Sequence, residues 1–187
     1  MIEGIFTVED AAKAGVPRWK LAKMANEGKL ERLARGVYVR SGAAVDGNYE
    51  MEVLARRGTE FVVALESALR FHGFTSAMPH GLTVAMKRGA RKPGVDFPLK
   101  VVRLSDKALN FGVERSMVNG VEVKVFSPAK TVADMFKFRN KVGLDAALES
   151  LKEGLRLRKF TVDELMASAR VDRVEKVITA YVEGYFA

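Results

Sequence analysis

Cysteine is absent from the 187 residues, so disulfides and thiolate metal sites are excluded, a pattern that suits a reducing compartment. Long apolar runs are absent as well, none approaching the roughly 18 residues needed to span a bilayer. The opening MIEGIFTVEDAAKAG has neither a basic start nor a long apolar stretch, so no secretory leader is expected and the cytoplasm is the expected location. Histidine occurs only as His72 and His80, with few carboxylates near either, which argues against a metal centre. His72 in RFHGF is expected instead to end a helix and bond a carbonyl with its imidazole. No Ser-His-Asp set stands out, and no Gly-Ser followed by paired aspartates marks a nucleotidyltransferase. SPAKT at 127–131 lacks the Gly-x-x-x-x-Gly-Lys pattern of a phosphate loop, and Ser127 followed by Pro128 reads as a helix start. There is no internal repeat and no low-complexity segment.

What the chain does have is apolar residues and positive charge. Hydrophobic residues make up 48%, enough for a folded core. The formal net charge is +8, which favours a polyanionic partner, and it is unevenly spread. From Lys13 to Arg40, eight Lys and Arg stand against Glu27 and Glu31, a net +6. From Lys87 to Lys107, seven stand against Asp96 and Asp106, a net +5. The stretch from Ser127 onward is close to balanced.

The first basic block carries a recognisable pattern. Thr7 is a good N-cap, and the acids of TVED favour the first turn of a short helix over about Val8 to Lys13, which Gly15 ends. Pro17 is expected at the first position of a second helix. Leu21, Met24 and Ala25 share one stripe of it, while Trp19, Lys23 and Asn26 share the opposite one, with Arg18 beside them. Then come KLERLA and GVYVR, two short runs joined near Arg35-Gly36, whose Leu30, Leu33, Val37 and Val39 would pack inward. Helix, turn, helix and basic ribbon outline a winged helix-turn-helix, in which the second helix enters the major groove and the ribbon follows the phosphates. On this reading the DNA-binding residues are Arg18, Trp19, Lys20, Lys23 and Asn26 on the helix and Lys29, Arg32, Arg35 and Arg40 on the ribbon. In the second basic block, Lys87, Arg88, Arg91 and Lys92 form a candidate second polyanion patch, or else a basic loop between strands.

SGAAVDGN (residues 41–48) has the composition of a linker, and a helical segment over about Glu50 to Arg57 would bridge it. FVVALESALRFHGF reads as a helix ending at Gly73. GLTVAMKRG, PLKVVRLS, GVERSMV and VEVKVFS read as strands, with Asn119-Gly120 as a hairpin turn between the last two. From Pro128 the pattern turns helical, with a capping box at Thr161 and Glu164. The expected fold is α+β: a winged helix over 1–45, a linker and bridging helix over 46–59, and an α+β domain over 60–187 with a small, mostly antiparallel sheet and a helical C-terminal part.

GIFTVEDAAKAGVPRWKLAKMANEGKLERLARGVYV, then ESALRFHGFTSAMPHGLTVAM and VFSPAKTVADMFKFR, resemble in this order the AbiEi-type antitoxins of type IV toxin–antitoxin systems, transcriptional regulators of phage defence. The resemblance implies a non-enzymatic protein without cofactor. Its N-terminal domain would bind double-stranded operator DNA with inverted repeats and repress its own operon. Its C-terminal domain would counteract a nucleotidyltransferase-like toxin without a stable complex. A monomer or weak dimer, with no membrane partner, is expected. Members of that family carry a further helix ahead of the G-x-F-T element; here Met1 stands four residues before Ile5, so the winged helix is expected without its first helix.

Two other functional classes stay open. Glu122-x-Lys124 on a strand, joined by Asp96 or Asp106, is the pattern of a metal-dependent nuclease of restriction-enzyme type, in which the acids hold a divalent ion and the lysine steadies developing charge. The same residues on an amphipathic strand would simply face water while Val121, Val123 and Val125 face inward. The other class is a protein-only antitoxin that does not bind DNA.

Overall fold

The computed structural model describes residues 3–77 and 79–186. The chain is α+β and divides into two compact units. The first comprises Met1–Glu60, Arg91–Leu99 and Ser116–Val123; the second comprises Phe61–Ala90, Lys100–Arg115 and Lys124–Ala187. The expectation about a helix ahead of Gly4 turns on the chain start at Met1 and lies outside the described residues.

The first unit opens with β1 (Phe6–Thr7) and α1 (Val8–Lys13). Thr7 caps α1 as expected: its backbone N–H donates to Asp10 Oδ2 at 2.8 Å, and the Asp10 N–H donates back to Thr7 Oγ1 at 3.1 Å. The second helix, α2, spans Arg18–Asn26. Pro17 is not its first residue but its N-cap, with ψ of 154° in the extended region, so the helix starts one position later than expected. Then come β2 (Leu30–Ala34), β3 (Val37–Arg40) and α3 (Tyr49–Arg56). The strand order is β1-β3-β2, with both pairings antiparallel. A register shift between Arg32 and Ala34 lets Leu30 and Leu33, three apart, both face inward. Val37, Tyr38 and Val39 are all buried, as befits the middle strand. Phe6, Ala11, Leu21, Leu30 and Tyr38 form the core between helices and sheet. Helix, helix and hairpin in this arrangement are compatible with a winged helix.

Two distant stretches complete this unit. Val95 bridges to Ala34, and the Asp96 N–H donates to the Leu33 carbonyl at 3.3 Å. The Tyr49 and Phe97 rings meet edge to face at 5.9 Å. Asn119 Nδ2 donates to Glu52 Oε2 at 3.0 Å, giving a buried carboxylate a partner.

The second unit contains most of a five-stranded sheet, of which Leu99 and the Asn119-Gly120 turn with its flanking residues (116–123) fall in the first unit. The elements are β4 (Val62–Val63), α4 (Leu65–Phe71), β5 (Leu82–Lys87), β6 (Leu99–Leu104), α5 (Asp106–Asn110), β7 (Val113–Val118) and β8 (Val121–Phe126). The order is β6-β5-β4-β8-β7; β4 pairs antiparallel with β5 and parallel with β8. FVVALESALRFHGF is therefore a strand followed by a helix, not a helix throughout. Five helices follow: α6 (Pro128–Lys137), α7 (Arg139–Val142), α8 (Leu144–Arg156), α9 (Val162–Asp172) and α10 (Glu175–Phe186). Ser127 caps α6 with Pro128 at its start, and Thr161 and Glu164 form the capping box of α9, both as expected. Phe126, Val132, Met135, Phe136, Leu151, Leu165 and Ile178 belong to the core. Gly154 of α8 lies so close to the Phe160 and Phe74 rings that a Cβ there would overlap them.

This core also holds charge. Lys130, wholly buried, reaches Asp134 Oδ1 at 2.7 Å and Asp172 Oδ2 at 3.0 Å, and Lys137 reaches Asp172 Oδ1 at 2.9 Å. The Lys130 ammonium also lies 4.4 Å from the Phe126 ring centroid.

Candidate nucleic-acid interface

The local sequence of α2 sorts its residues cleanly. Leu21 is buried and Met24 and Ala25 are partly buried against the sheet, while Arg18, Trp19, Lys20, Lys23 and Asn26 are exposed. Trp19 is 68% exposed, so it is not spent on packing. Two basic residues are partly compensated. Lys29 Nζ meets Glu27 Oε2 at 2.7 Å, and Lys23 Nζ lies 3.9 Å from the same carboxylate. Such exposed pairs are weak and exchange readily for a polyanion.

On the hairpin, Arg32, Arg35 and Arg40 are exposed while Leu30, Leu33, Ala34, Val37, Tyr38 and Val39 are buried. Arg32 Nε donates to the Ala34 carbonyl at 3.4 Å, which lays its stem along β2. Gly36, with φ of 80°, allows the tight turn that carries Arg35. Its carbonyl accepts the Val8 N–H at 3.1 Å, tying the turn to the start of α1.

A cleft of about 400 Å³ forms at this junction. Arg18 from the start of α2, Arg35 from the hairpin turn, and Arg56 and Arg57 from the end of α3 line it, with Glu9 and the backbone around Thr7 and Gly36. Neither Arg18 nor Arg35 has an ion-pair partner among the described residues. Arg56 is braced by Glu52 at 2.7 Å and by Asp10 at 3.8 Å. The Thr7 backbone N–H, the largest cause, holds the Asp10 carboxyl below its usual range; burial opposes it, and the Thr7 hydroxyl and the charges of Arg56 and Lys13 add to the lowering. Arg57 donates to the Gly94 carbonyl. Sequence reasoning missed Arg56 and Arg57. The only signal was the basic pair in ARRG, which reads as an ordinary solvated helix end.

The second basic block spans a division between the two units. Lys87 and Arg88 belong to the second unit and Arg91 and Lys92 to the first. Lys87 is paired with Asp106 at 3.2 Å, and Arg103 donates to the Lys87 carbonyl at 3.1 Å. Val123 and Val125 are buried on β8 and Glu122 is exposed, as on an amphipathic strand. Among the described residues, no group of three or more His, Cys, Asp or Glu is placed to hold a metal ion. His72 does what its position suggested: it ends α4, and its Nε2 lies 2.7 Å from the Phe126 carbonyl oxygen.

No helix among the described residues is long and apolar enough to cross a membrane. Among curated proteins, none matches the chain. Residues 2–41, which carry β1, both helices of the turn and the basic hairpin, match the family model of the transcriptional regulator, AbiEi antitoxin.

Proposed function

We propose that this protein is a transcriptional regulator of antitoxin type that binds double-stranded operator DNA and represses its own operon. The family match over residues 2–41 supports the regulator and antitoxin role. The observation that carries the DNA reading is the meeting of Arg18 and Arg35, one from the exposed helix and one from the hairpin turn, at a single cleft. A recognition helix and a wing serve one duplex only if their cations face it together.

The mechanism is positioning rather than catalysis. Arg18, Lys20 and Lys23, with Trp19 and Asn26, face base edges from α2. Lys29, Arg32, Arg35 and Arg40 hold phosphates, with Arg91 and Lys92 adding charge from the same unit. The second unit carries the antitoxin activity against a nucleotidyltransferase-like toxin, in phage defence and without a stable complex.

Fluorescence anisotropy with the DNA upstream of the protein's own reading frame, across a salt series, tests this. Arg32→Ala weakens binding alike on all sequences and lowers the salt slope by about one. Arg18→Ala instead changes sequence preference, by about 1–3 kcal/mol per lost base contact. Absence of salt-dependent duplex binding, with toxin neutralisation intact, would replace the reading by a protein-only antitoxin.

A further inference from the structure

The arginine cleft gathers more charge than the helix and hairpin alone supply. Arg56 is three-quarters buried, and its guanidinium is directed by Glu52 and Asp10. Arg57 is half-buried and spends one N–H on Gly94, leaving four donors. Arg18 and Arg35 are exposed and have no ion-pair partner among the described residues. Glu9 is the one carboxylate among the lining residues. The Val8 N–H is already given to Gly36, so the start of α1 contributes no free amide there. What the cleft offers is guanidinium donors from three elements, facing a shared space with too few anions to match them. Like charges brought together repel unless an anion lies between them. The planar, forked guanidinium matches phosphate oxygens better than any other side chain does.

We propose that this cleft is a phosphate seat. Arg35 and Arg57 grip the anion, Arg18 closes on it from the start of α2, and Arg56 is a positioning residue fixed by Glu52 and Asp10. Arg56 and Arg57 lie beyond residues 2–41, so the seat adds to the winged-helix surface a component drawn from the helix that follows it. The phosphate has two possible sources, the backbone of a duplex or a free phosphorylated small molecule. The duplex source rests on the DNA-binding reading; the seat itself does not.

The test uses the full chain and two arms. One is duplex titration by anisotropy across a salt series; the other is inorganic pyrophosphate titration followed by the fluorescence of Trp19, the only tryptophan. Arg57→Ala and Arg35→Ala are compared with Lys152→Ala, which removes an exposed charge from the second unit, and thermal melts confirm folding. Arg57→Lys keeps the charge and loses the fork. The expected result is that Arg57→Ala and Arg35→Ala each weaken duplex binding about tenfold and reduce the salt slope by about one, that Arg57→Lys restores only part, and that Lys152→Ala changes neither. Pyrophosphate binding that depends on Arg57, without duplex binding, upholds the seat, assigns it to a free ligand and removes the DNA reading. Duplex binding that is the same in wild type, Arg57→Ala and Arg35→Ala, with no pyrophosphate binding, overturns the seat and the role of Arg35, and leaves duplex binding to the other helix and hairpin residues. Binding in neither arm overturns both.

Discussion

Trp19 stands 68% exposed between Arg18 and Lys20, although an indole ring ordinarily leaves water when it can. Helical spacing set it opposite Leu21, but spacing cannot say whether another element covers that face. Its exposure makes packing and contact separable. Trp19→Ala should change the unfolding free energy by less than about 0.5 kcal/mol, where a buried tryptophan would cost about 3–5 kcal/mol. Duplex affinity should fall nonetheless. Urea unfolding beside a DNA titration checks both, and a large loss of stability would return Trp19 to the core. His72 was legible because a helix-end histidine beside glycine has few local choices. Arg56 and Arg57 were not, because what makes them part of a site is their meeting with Arg18 and Arg35, and no sequence spacing encodes that.

Most elements whose signals are local are legible in the sequence, Pro17 being one position out. The N-cap at Thr7, the capping box at Thr161, the serine and proline that start α6, and the turns at Arg35-Gly36 and Asn119-Gly120 all depend on a few adjacent residues. The two-residue strands β1 and β4 were missed, because two residues carry no period and only their partners define them. At β4 the difficulty was compounded: the break into α4 passes through Leu65, at φ of 50°, without the glycine that normally announces such a turn. The cap of α1 gives an element-scale prediction. Thr7→Ala should lower stability by about 1 kcal/mol and Thr7→Ser should nearly restore it, measured by thermal melts. Because Asp10 is held below its ordinary value of 3.8, this cap's charged contribution is present above that pH and lost as pH falls through the folded value. The deficit of Thr7→Ala should therefore shrink in strong acid.

At the scale of the whole molecule, the ionic group inside the second core makes stability depend on pH. Burial pushes the Asp134 carboxyl up to about 7; Lys130 pulls it down and the neighbouring Asp172 raises it. The folded value lies above the unfolded one, so the bound proton stabilises fully below about pH 4, and that stability is lost as pH rises through about 7. The urea midpoint should drop between about pH 4 and about pH 7, and Asp134→Asn should flatten part of that drop. An identical pH profile in the variant would mean that Asp134 is ionised throughout. Composition pointed to a core but gave no hint of this group, since Lys130, Asp134, Lys137 and Asp172 look like the solvated positions of ordinary helices. Nor could the chain reveal that it crosses five times between its two units. That interleaving has a practical result. A peptide cut after Glu60 would keep the basic helix, the hairpin and all four cleft arginines, yet lose Val95 from Ala34, Phe97 from Tyr49 and Asn119 from Glu52. Such a truncation would leave raw edges where neighbours had been, and silence from it in a gel would report the amputation rather than the surface.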